Sequence, residues 1–270
     1  MGAELARAAG RRAFGRSPAA YAAARPPYPA AVYRLLRRRC GLGPGTRTFE
    51  IGAGTGLATR ELLRAGAEPL IAVEPDPRLA GFLARELGGS SGALRIVRAP
   101  FEGARLPPGR FDLGVAATMF HWLSEEQALR KVARLLRPGG WWACWWNVFG
   151  DPAGRAPIHR ALGPVFAKLP RGPSSGAGRG PPPALDRTSR EAALRVTGSF
   201  DRISSRVLRW SLELDPDRAV GLYATFAPIS TLPSGRRRAA LAEVRRVVRE
   251  ELGGRTTLPM RTPVYTARRS

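Results

Sequence analysis

The strongest constraint on the fold is the stretch Thr48–Gly56, in which a short apolar run ends in an acid and leads into three glycines. The next residues, 57–63, have the composition of a helix. Glycine lets a chain turn sharply and lets a ligand approach the main chain closely, and the first N–H groups of a helix have no partner within it. Strand, glycine loop and helix together predict a ligand site that uses backbone amides. The alternative is that the glycines only turn the chain.

The spacing of the glycines separates two kinds of nucleotide site. A dinucleotide-binding loop has the pattern G-x-G-x-x-G and holds pyrophosphate at the helix N-terminus. Here Gly52, Gly54 and Gly56 form G-x-G-x-G, and Leu57 takes the place of the third glycine. Glu50 precedes the turn, where a negative charge repels phosphate and attracts a cation. The loop therefore favours a nucleoside that carries a positive amino or sulfonium group.

A second acid follows the next predicted strand. The continuous apolar run 70–73 is typical of a buried parallel strand, and Glu74 stands at its end. A carboxylate at this distance beyond a glycine loop can accept both ribose hydroxyls, so we predict that role for Glu74. The alternative is a solvated acid at a strand end. Asp76 fits a helix N-cap better, since Pro77 suits the first helical position.

Strand and helix patterns alternate through Asn147. Apolar runs at 94–97, 111–117 and 141–147 predict three further strands, and amphipathic segments lie between them, as at 30–40. Such alternation predicts a doubly wound, mostly parallel sheet. Ser124 and Thr188 each begin an S/T-x-x-E/Q pattern that predicts a capped helix, and Pro138-Gly139-Gly140 predicts a helix end.

The character of the chain changes after the fifth predicted strand. The patterns predict a helix at 157–169, a Gly/Pro/Ser-rich stretch at 170–183, strands at 203–214 and 256–266, and helices between those strands. We divide the chain into an N-terminal helical lead-in or lid (1–40), a ligand-binding core (41–150) and a part that completes the sheet (151–270). All three are expected to form one structural domain.

Four further side chains are candidates for the site. Tyr21 and Arg25 precede the core and either close over the ligand or anchor the N-terminal helix. Phe101 follows the third strand and either lies against an adenine face or fills the core. His121 follows the fourth strand, at the sheet edge where open α/β sheets bind ligands. It is either a general base or part of the pocket wall.

Composition excludes some classes of protein. The formal charge of +23 suggests nucleic-acid binding, but nearly all the basic residues are arginines spread along the chain, so we do not favour it. No apolar run approaches the roughly 20 residues that span a bilayer. Cys40 and Cys144 form no disulfide framework and are expected to be packed thiols in a reducing compartment, the cytoplasm. The first 17 residues lack the apolar segment of a secretory signal.

Taken together, the motifs of residues 21–268 resemble those of class I S-adenosylmethionine-dependent methyltransferases, in the methyltransferase-11-like group that acts mostly on small molecules. The resemblance depends on the order and spacing of six motifs. These are Tyr21-x-x-x-Arg25-Pro26-x-Tyr28-Pro29, Glu50-Ile51-Gly52-Ala53-Gly54-Thr55-Gly56, Ala72-Val73-Glu74-Pro75-Asp76, Phe111-Asp112, Phe120-His121-Trp122 and Leu135-Leu136-Arg137-Pro138-Gly139-Gly140.

The resemblance implies a Rossmann-like, seven-stranded sheet with an antiparallel last strand and a cap of inserted helices that bind the acceptor. It implies methyl transfer from S-adenosylmethionine to a small molecule by in-line displacement, with S-adenosylhomocysteine as product, no metal, and a monomer or homodimer. The implied cofactor contacts are Tyr21, Arg25, Glu50, Gly52, Ala53, Gly54, Thr55, Gly56, Glu74, Pro75, Pro100, Phe101 and Ala116.

The sequence departs from the family pattern after the third strand, where Ala99-Pro100 replaces the commoner acid-containing loop. Two other functions stay open. One is an RNA or protein methyltransferase that docks through its arginines, although Phe120-His121-Trp122 lacks the acid-or-Asn-Pro-Pro-aromatic signature of several such enzymes. The other is a protein that binds the cofactor without catalysis.

Overall fold

The computed structural model describes residues 17–89, 92–150, 154–167, 169 and 182–270. The residues before Ser17 and nearly all of the Gly/Pro/Ser-rich stretch lie outside the described residues. The chain forms two compact units. The first, which we call the loop unit, comprises Pro27–Asn147, Pro183–Leu208 and Thr262–Ser270. The second, the helical unit, comprises Met1–Pro26, Val148–Pro182 and Arg209–Arg261.

A mostly parallel sheet forms the centre of the loop unit. Its strands lie in the order β3-β2-β1-β4-β5-β8, where neighbouring pairs are parallel except for β5 and β8. The strands of the whole chain are β1 (Thr46–Ile51), β2 (Ala67–Val73), β3 (Leu94–Val97), β4 (Phe111–Ala117), β5 (Leu136–Trp145), β6 (Val148–Phe149), β7 (Phe200–Leu214) and β8 (Thr256–Arg269). The predicted α/β class and its antiparallel last strand are confirmed.

Helices follow the strands much as the sequence predicts. They are α1 (Pro18–Ala24), α2 (Ala30–Cys40), α3 (Leu57–Arg64), α4 (Pro77–Leu87), α5 (Glu125–Leu135), α6 (Pro157–Ala167), α7 (Arg187–Val196), α8 (Pro216–Ala224), α9 (Ala227–Ser230) and α10 (Ser234–Arg246), which continues as a π-helical turn, Val247–Glu251. Asp76 caps α4 by accepting a hydrogen bond from the backbone N–H of Arg78, as predicted.

Apolar spacing on α2 shows how the core of the loop unit is built. Val32, Leu36 and Cys40 recur every four residues, and all three are buried against the sheet. Gly41 ends the helix in the left-handed conformation, with φ of 72°. Trp145, fully buried on β5, belongs to the same core.

In the helical unit, β6 pairs antiparallel with the first part of β8, where Val148 lies opposite Arg261. This two-residue strand was not predicted, because it is too short to show a periodic pattern. The unit has its own apolar core, which includes Ile158, Leu222 and Val244. Strands β7 and β8 each contribute residues to both units.

Three local predictions need correction. Ser124 occupies the N-cap position of α5, but its side chain makes no capping hydrogen bond. Thr188 lies inside α7, whose N-cap is Asp186, because the Asp186 carboxylate accepts the backbone N–H of Ser189. Residues 138–140, predicted to end a helix, lie within β5, because α5 already ends at Leu135. The pairing of β4 and β5 shifts register at these residues.

Candidate active site

The glycine loop between β1 and α3 requires its glycines. Gly52, Gly54 and Gly56 have φ values of 66°, 58° and 85°, a region that residues with a Cβ adopt at a cost. A Cβ on Gly52 would lie 2.5 Å from Cγ of Met119, and one on Gly56 would lie 2.6 Å from Cδ1 of Leu83. The predicted loop is therefore present, and its glycines permit both the turn and the close packing around it.

The backbone amides of this loop are largely satisfied within the protein. The N–H groups of Gly52 and Ala53 donate to the Val73 carbonyl at 2.8 and 3.3 Å, and that of Gly56 donates to the Ala53 carbonyl at 3.0 Å. The Gly54 N–H donates to Oε2 of Glu74 at 2.8 Å. These four donors are thus already engaged, which differs from the expectation that the loop offers its amides to a ligand. A pyrophosphate would have to compete with these bonds.

Glu50 is a buried carboxylate at the carboxyl end of β1. Its residue surface is only 1% exposed, and the Thr59 hydroxyl on α3 donates to its Oε2 at 2.6 Å. Burial raises the pKa of Glu50 to about 7, which outweighs the opposing effect of the Thr59 hydrogen bond; the nearby charge of Glu74 raises it further. The side chain is poised to ionise when a cation lies beside it.

Glu74 lies at the carboxyl end of the neighbouring strand, β2. It is 4% exposed, and it accepts hydrogen bonds from the Gly54 N–H and, at 2.9 Å, from the Asp76 N–H. Burial raises its pKa although these two bonds favour the charged form. Each carboxylate oxygen has a further lone pair, so Glu74 can still accept the ribose hydroxyls predicted for it.

Strand register brings these groups to one edge of the sheet. Ile51 at the end of β1 lies opposite Val73 of β2 on one side and Ala116 of β4 on the other. The chain leaves β1 between these two neighbours, which is where open α/β sheets bind ligands. The predicted loop, Glu74 and the residues after β4 are therefore assembled at a single edge.

A strained segment follows β4 at this edge. Thr118 has φ of 57°, unusual for a β-branched residue. Tyr28 Oη donates to Thr118 Oγ1 at 2.8 Å, and the Thr118 N–H donates to the Trp145 carbonyl at 2.7 Å. Strain held by surrounding hydrogen bonds is a feature of functional sites. Met119, the next residue, contacts the glycine loop at Gly52.

His121 lies in a 3₁₀ turn, Phe120–Trp122, at the same edge. The Trp146 indole N–H donates to its Nδ1 at 3.0 Å, and its ring lies 4.7 Å from that of Trp122, between ring centroids. The side chain is partly buried. The imidazole is thus held between two tryptophans, in the position predicted for a base or a pocket wall.

Phe101 packs into the core of the loop unit. Its ring is 3% exposed and stacks on Phe49, with 6.3 Å between the centroids. Lys131 of α5 fixes the loop from outside, because its Nζ donates to the carbonyls of Phe101, Glu102 and Ala104. This arrangement matches the alternative prediction, a ring that fills the core, while contact with adenine stays a prediction.

Tyr21 and Arg25 belong to the helical unit. The Arg25 guanidinium carbon lies 5.1 Å from the ring centroid of Tyr21 and 5.0 Å from those of Phe149 and Phe226. Its Nη2 donates to the Thr225 carbonyl at 3.3 Å. These cation–π contacts anchor α1 within its own unit, which is one of the two roles predicted. Closure over a cofactor stays a prediction.

The remaining predicted cofactor contacts differ in how much of their surface is exposed. Ala53, Thr55 and Ala116 are buried, so they can present backbone atoms more readily than side chains. Pro75 and Pro100 are exposed beside the ends of β2 and β3.

Sequence reasoning missed several residues of this edge. Thr59 and Trp146 each bond a predicted site residue, and Tyr28 supports the strained turn. A hydroxyl one helical turn after the loop was the available signal for Thr59, while nothing in the sequence pairs Trp146 with His121.

Metal-binding clusters and membrane-spanning helices are both absent from the residues that the structure describes. Within them, no group of three or more His, Cys, Asp or Glu side chains is arranged to hold a metal ion. None of the helices built from them has the length and apolar character needed to cross a bilayer.

Comparisons with known proteins agree with the fold and the loop. Residues 49–144 match the Methyltransf_11 family, described as a methyltransferase domain. An uncharacterized methyltransferase of Mycobacterium tuberculosis is 27% identical over 235 residues, which cover 87% of this chain and 85% of the relative.

Solved structures show the same fold. A putative type II methyltransferase from Anaeromyxobacter dehalogenans gives a TM-score of 0.58 at 21% identity and covers 91% of this chain and 96% of its own. Phosphoethanolamine N-methyltransferase 2 of Haemonchus contortus, in complex with S-adenosyl-L-methionine, gives 0.53 at 12% identity and covers 88% of this chain and 52% of its own. With the family match, they confirm the predicted resemblance to class I S-adenosylmethionine-dependent methyltransferases.

Proposed function

We propose that the chain transfers a methyl group from S-adenosylmethionine to a small-molecule acceptor, in keeping with the match of residues 49–144 to a methyltransferase domain. One observation carries the cofactor assignment. Glu50 and Glu74 are both buried at the glycine loop, and neither forms an ion pair with a basic residue in the described part of the chain. A buried carboxylate without a cation is destabilising, so this edge of the sheet favours a ligand that brings positive charge.

S-adenosylmethionine fits this requirement, whereas a dinucleotide does not. It carries a sulfonium and an ammonium group together with a ribose, and NAD brings a pyrophosphate. The four engaged loop amides leave the pyrophosphate few donors, and the two carboxylates repel it. Glu50 would hold the ammonium end and Glu74 the ribose, as the family resemblance implies.

When bound, the cofactor supplies a sulfonium methyl group that is already activated for displacement. The chain then has to position the acceptor in line and exclude water. The rigid loop, its positive-φ glycines and the turn after β4 are suited to positioning, because their conformations are fixed by hydrogen bonds and close packing. The prediction that helices within 151–270 bind the acceptor belongs to this proposal.

Calorimetric titration tests the cofactor assignment. S-adenosylmethionine, S-adenosylhomocysteine and NAD are titrated into the wild type, into Glu74→Ala and into Glu86→Ala, an exposed acid on α4 that serves as the matched control. We expect both sulfur nucleosides to bind the wild type and the control, and binding to the Glu74 variant to fall by at least about tenfold. Binding of NAD alone, or of none of the three ligands, would refute the proposal.

Binding and turnover assays on the same protein distinguish the two other functions from the proposed one. An RNA methyltransferase would bind RNA with a steep dependence on salt. A protein that binds the cofactor without catalysis would retain the calorimetric signal but would transfer no methyl group to any acceptor in a panel of small acids and phenols.

A further inference from the structure

The turn after β4 determines how one side chain meets the glycine loop. Thr118, the first residue after the strand, has φ of 57°, a conformation that a β-branched residue adopts only where its surroundings impose it. Met119 follows, and a Cβ on Gly52 would lie 2.5 Å from its Cγ and 2.9 Å from its Cε. The Met119 side chain thus packs directly on the main chain of Gly52, and the conformation of Thr118 sets its direction.

The hydroxyl of Tyr28 anchors this conformation at the side chain of Thr118. It donates to Thr118 Oγ1 at 2.8 Å. At the main chain, the Thr118 N–H donates to the Trp145 carbonyl at 2.7 Å. Tyr28 packs on the same tryptophan, with 5.8 Å between the ring centroids and an interplanar angle of 89°. Two hydrogen bonds and one ring contact therefore connect Tyr28, Thr118 and Trp145.

Tyr28 is itself held in place by Asn147, two residues after β5. A proline stands on either side of Tyr28, and proline fixes φ, which limits the freedom of this segment. Asn147 is 8% exposed, and its Nδ2 donates to the carbonyl of Pro27 at 3.3 Å. Its Oδ1 accepts the Thr262 hydroxyl at 2.8 Å, and its backbone N–H donates to Thr118 Oγ1 at 3.4 Å. The residue that anchors Thr118 is therefore fixed in turn.

We propose that Tyr28 is a positioning residue for the cofactor. Its hydroxyl keeps Thr118 at positive φ, which keeps Met119 against Gly52 and preserves the shape of the loop that receives the cofactor. The inference rests on the proposed function, because it takes the glycine loop as the cofactor site. A bond that served only the fold would stabilise the protein without changing the affinity of the folded protein for the cofactor.

Two substitutions at Thr118 separate the anchor from the strain. Thr118→Val keeps a β-branched side chain at positive φ but removes the oxygen to which Tyr28 donates. Thr118→Gly also removes the oxygen, but glycine adopts positive φ readily, so the turn needs no anchor. We expect calorimetry with S-adenosylhomocysteine to show a loss of affinity of about three- to tenfold in the valine variant and of less than about twofold in the glycine variant. Equal affinities of the two variants would overturn the proposal.

Tyr33→Phe is a matched control for Tyr28→Phe. The Tyr33 ring also packs on Trp145, with 6.2 Å between centroids and an interplanar angle of 80°, but its buried hydroxyl has no hydrogen-bond partner among the described residues. We expect Tyr28→Phe to weaken S-adenosylhomocysteine binding about three- to tenfold, and the control to bind within about twofold of the wild type. In the Thr118→Gly background, Tyr28→Phe should have no further effect, because the oxygen it bonds is absent. Wild-type affinity in folded Tyr28→Phe, or an equal loss in the control, would contradict the proposal.

The methyl group of Met119 reports the position of the turn without any ligand. The chain has three methionines, so NMR of protein labelled at their methyl carbons has few signals, and Met119→Leu assigns the Met119 signal by its disappearance. We expect Tyr28→Phe and Thr118→Val to shift this signal. Tyr33→Phe and Thr118→Gly should leave it near its wild-type position. An unshifted signal in both Tyr28→Phe and Thr118→Val would refute the claim that Tyr28 positions Met119.

The two proposals can fail separately. A protein that binds neither sulfur nucleoside loses the proposed function, and the role of Tyr28 toward the cofactor fails with it. A protein that binds both, but whose affinity is the same in folded Tyr28→Phe as in the wild type, keeps the proposed function and loses this inference.

Discussion

Replacing Glu50 by glutamine should make the ligand-free protein more stable at alkaline pH. The carboxyl group is buried at the end of β1, where Thr59 donates to it, and the neighbouring ionisable groups are Glu74 and the buried phenol of Tyr33, neither of which is a cation. Glutamine has nearly the same shape, and its carbonyl oxygen can still accept the Thr59 hydroxyl. The substitution therefore removes the charge and keeps the packing.

The expected size follows from the shift in pKa. The pKa of Glu50 rises from 4.5 to about 7 on folding, and each unit corresponds to about 1.4 kcal/mol, so ionisation in the folded state costs about 3 kcal/mol. Because folding raises the pKa of this acid, the stability of the folded state falls as pH increases. The contribution of Glu50 to the free energy of unfolding is fully present below pH 4.5 and is lost as pH rises through 7, because the folded state binds more protons than the unfolded state between these two values.

Urea unfolding of the wild type, Glu50→Gln and the exposed control Glu86→Gln between pH 5 and pH 8.5 measures this effect. The free energy of unfolding of Glu50→Gln relative to the wild type should rise by about 2.5 kcal/mol across the range, whereas the control should follow the wild type within about 0.5 kcal/mol. A difference that does not change with pH would refute the argument that Glu50 is buried without a compensating cation.

Three further results are expected. Gly52→Ala should destabilise the protein more than Gly54→Ala. Both glycines have positive φ, so each substitution costs about 1–2 kcal/mol, but only the new Cβ at position 52 clashes with a neighbour, Met119, at 2.5 Å. Thermal unfolding of the two variants compares the losses. Asp112→Asn should lower the free energy of unfolding by about 1–3 kcal/mol at pH 7 and leave the affinity for S-adenosylhomocysteine unchanged. The hydrogen bond from Arg47 is the main reason that the pKa of the Asp112 carboxyl lies well below its usual range, so this stability is lost as pH falls. Urea unfolding at pH 7 and pH 3 measures the difference. S-adenosylmethionine binding near pH 7 should release protons, since a cation lowers the pKa of Glu50; calorimetry in buffers of different ionisation enthalpy measures the number.

The fold could be predicted from the sequence because local and global signals agree. Strand β4 occupies the predicted residues 111–117, and α2 the predicted residues 30–40, since continuous apolar runs and four-residue spacing directly reflect burial. The glycine loop was equally readable, because positive φ at Gly52, Gly54 and Gly56 leaves little choice of residue.

What could not be predicted depends on contacts between residues distant in sequence. The sequence left open whether Phe101 lies against adenine or fills the core, and it does not show that the ring packs against Phe49 and Lys131. The indole of Trp146 donates to His121, although the predicted strand 141–147 carries four tryptophans that the sequence does not distinguish. No local sequence pattern shows which of these tryptophans donates a hydrogen bond to a residue of the site.

The two carboxylates connect folding with ligand binding. Glu50 and Glu74 lower the stability of the ligand-free protein, because burial without a cation opposes their ionisation. A ligand with positive charge offsets that cost, so part of its binding energy is the relief of a penalty already present in the fold. Substitutions that remove either charge should therefore stabilise the free protein and weaken cofactor binding together, which is the relation expected of groups retained for function rather than for stability. A residue that served only as a core element would change stability without this opposite change in affinity.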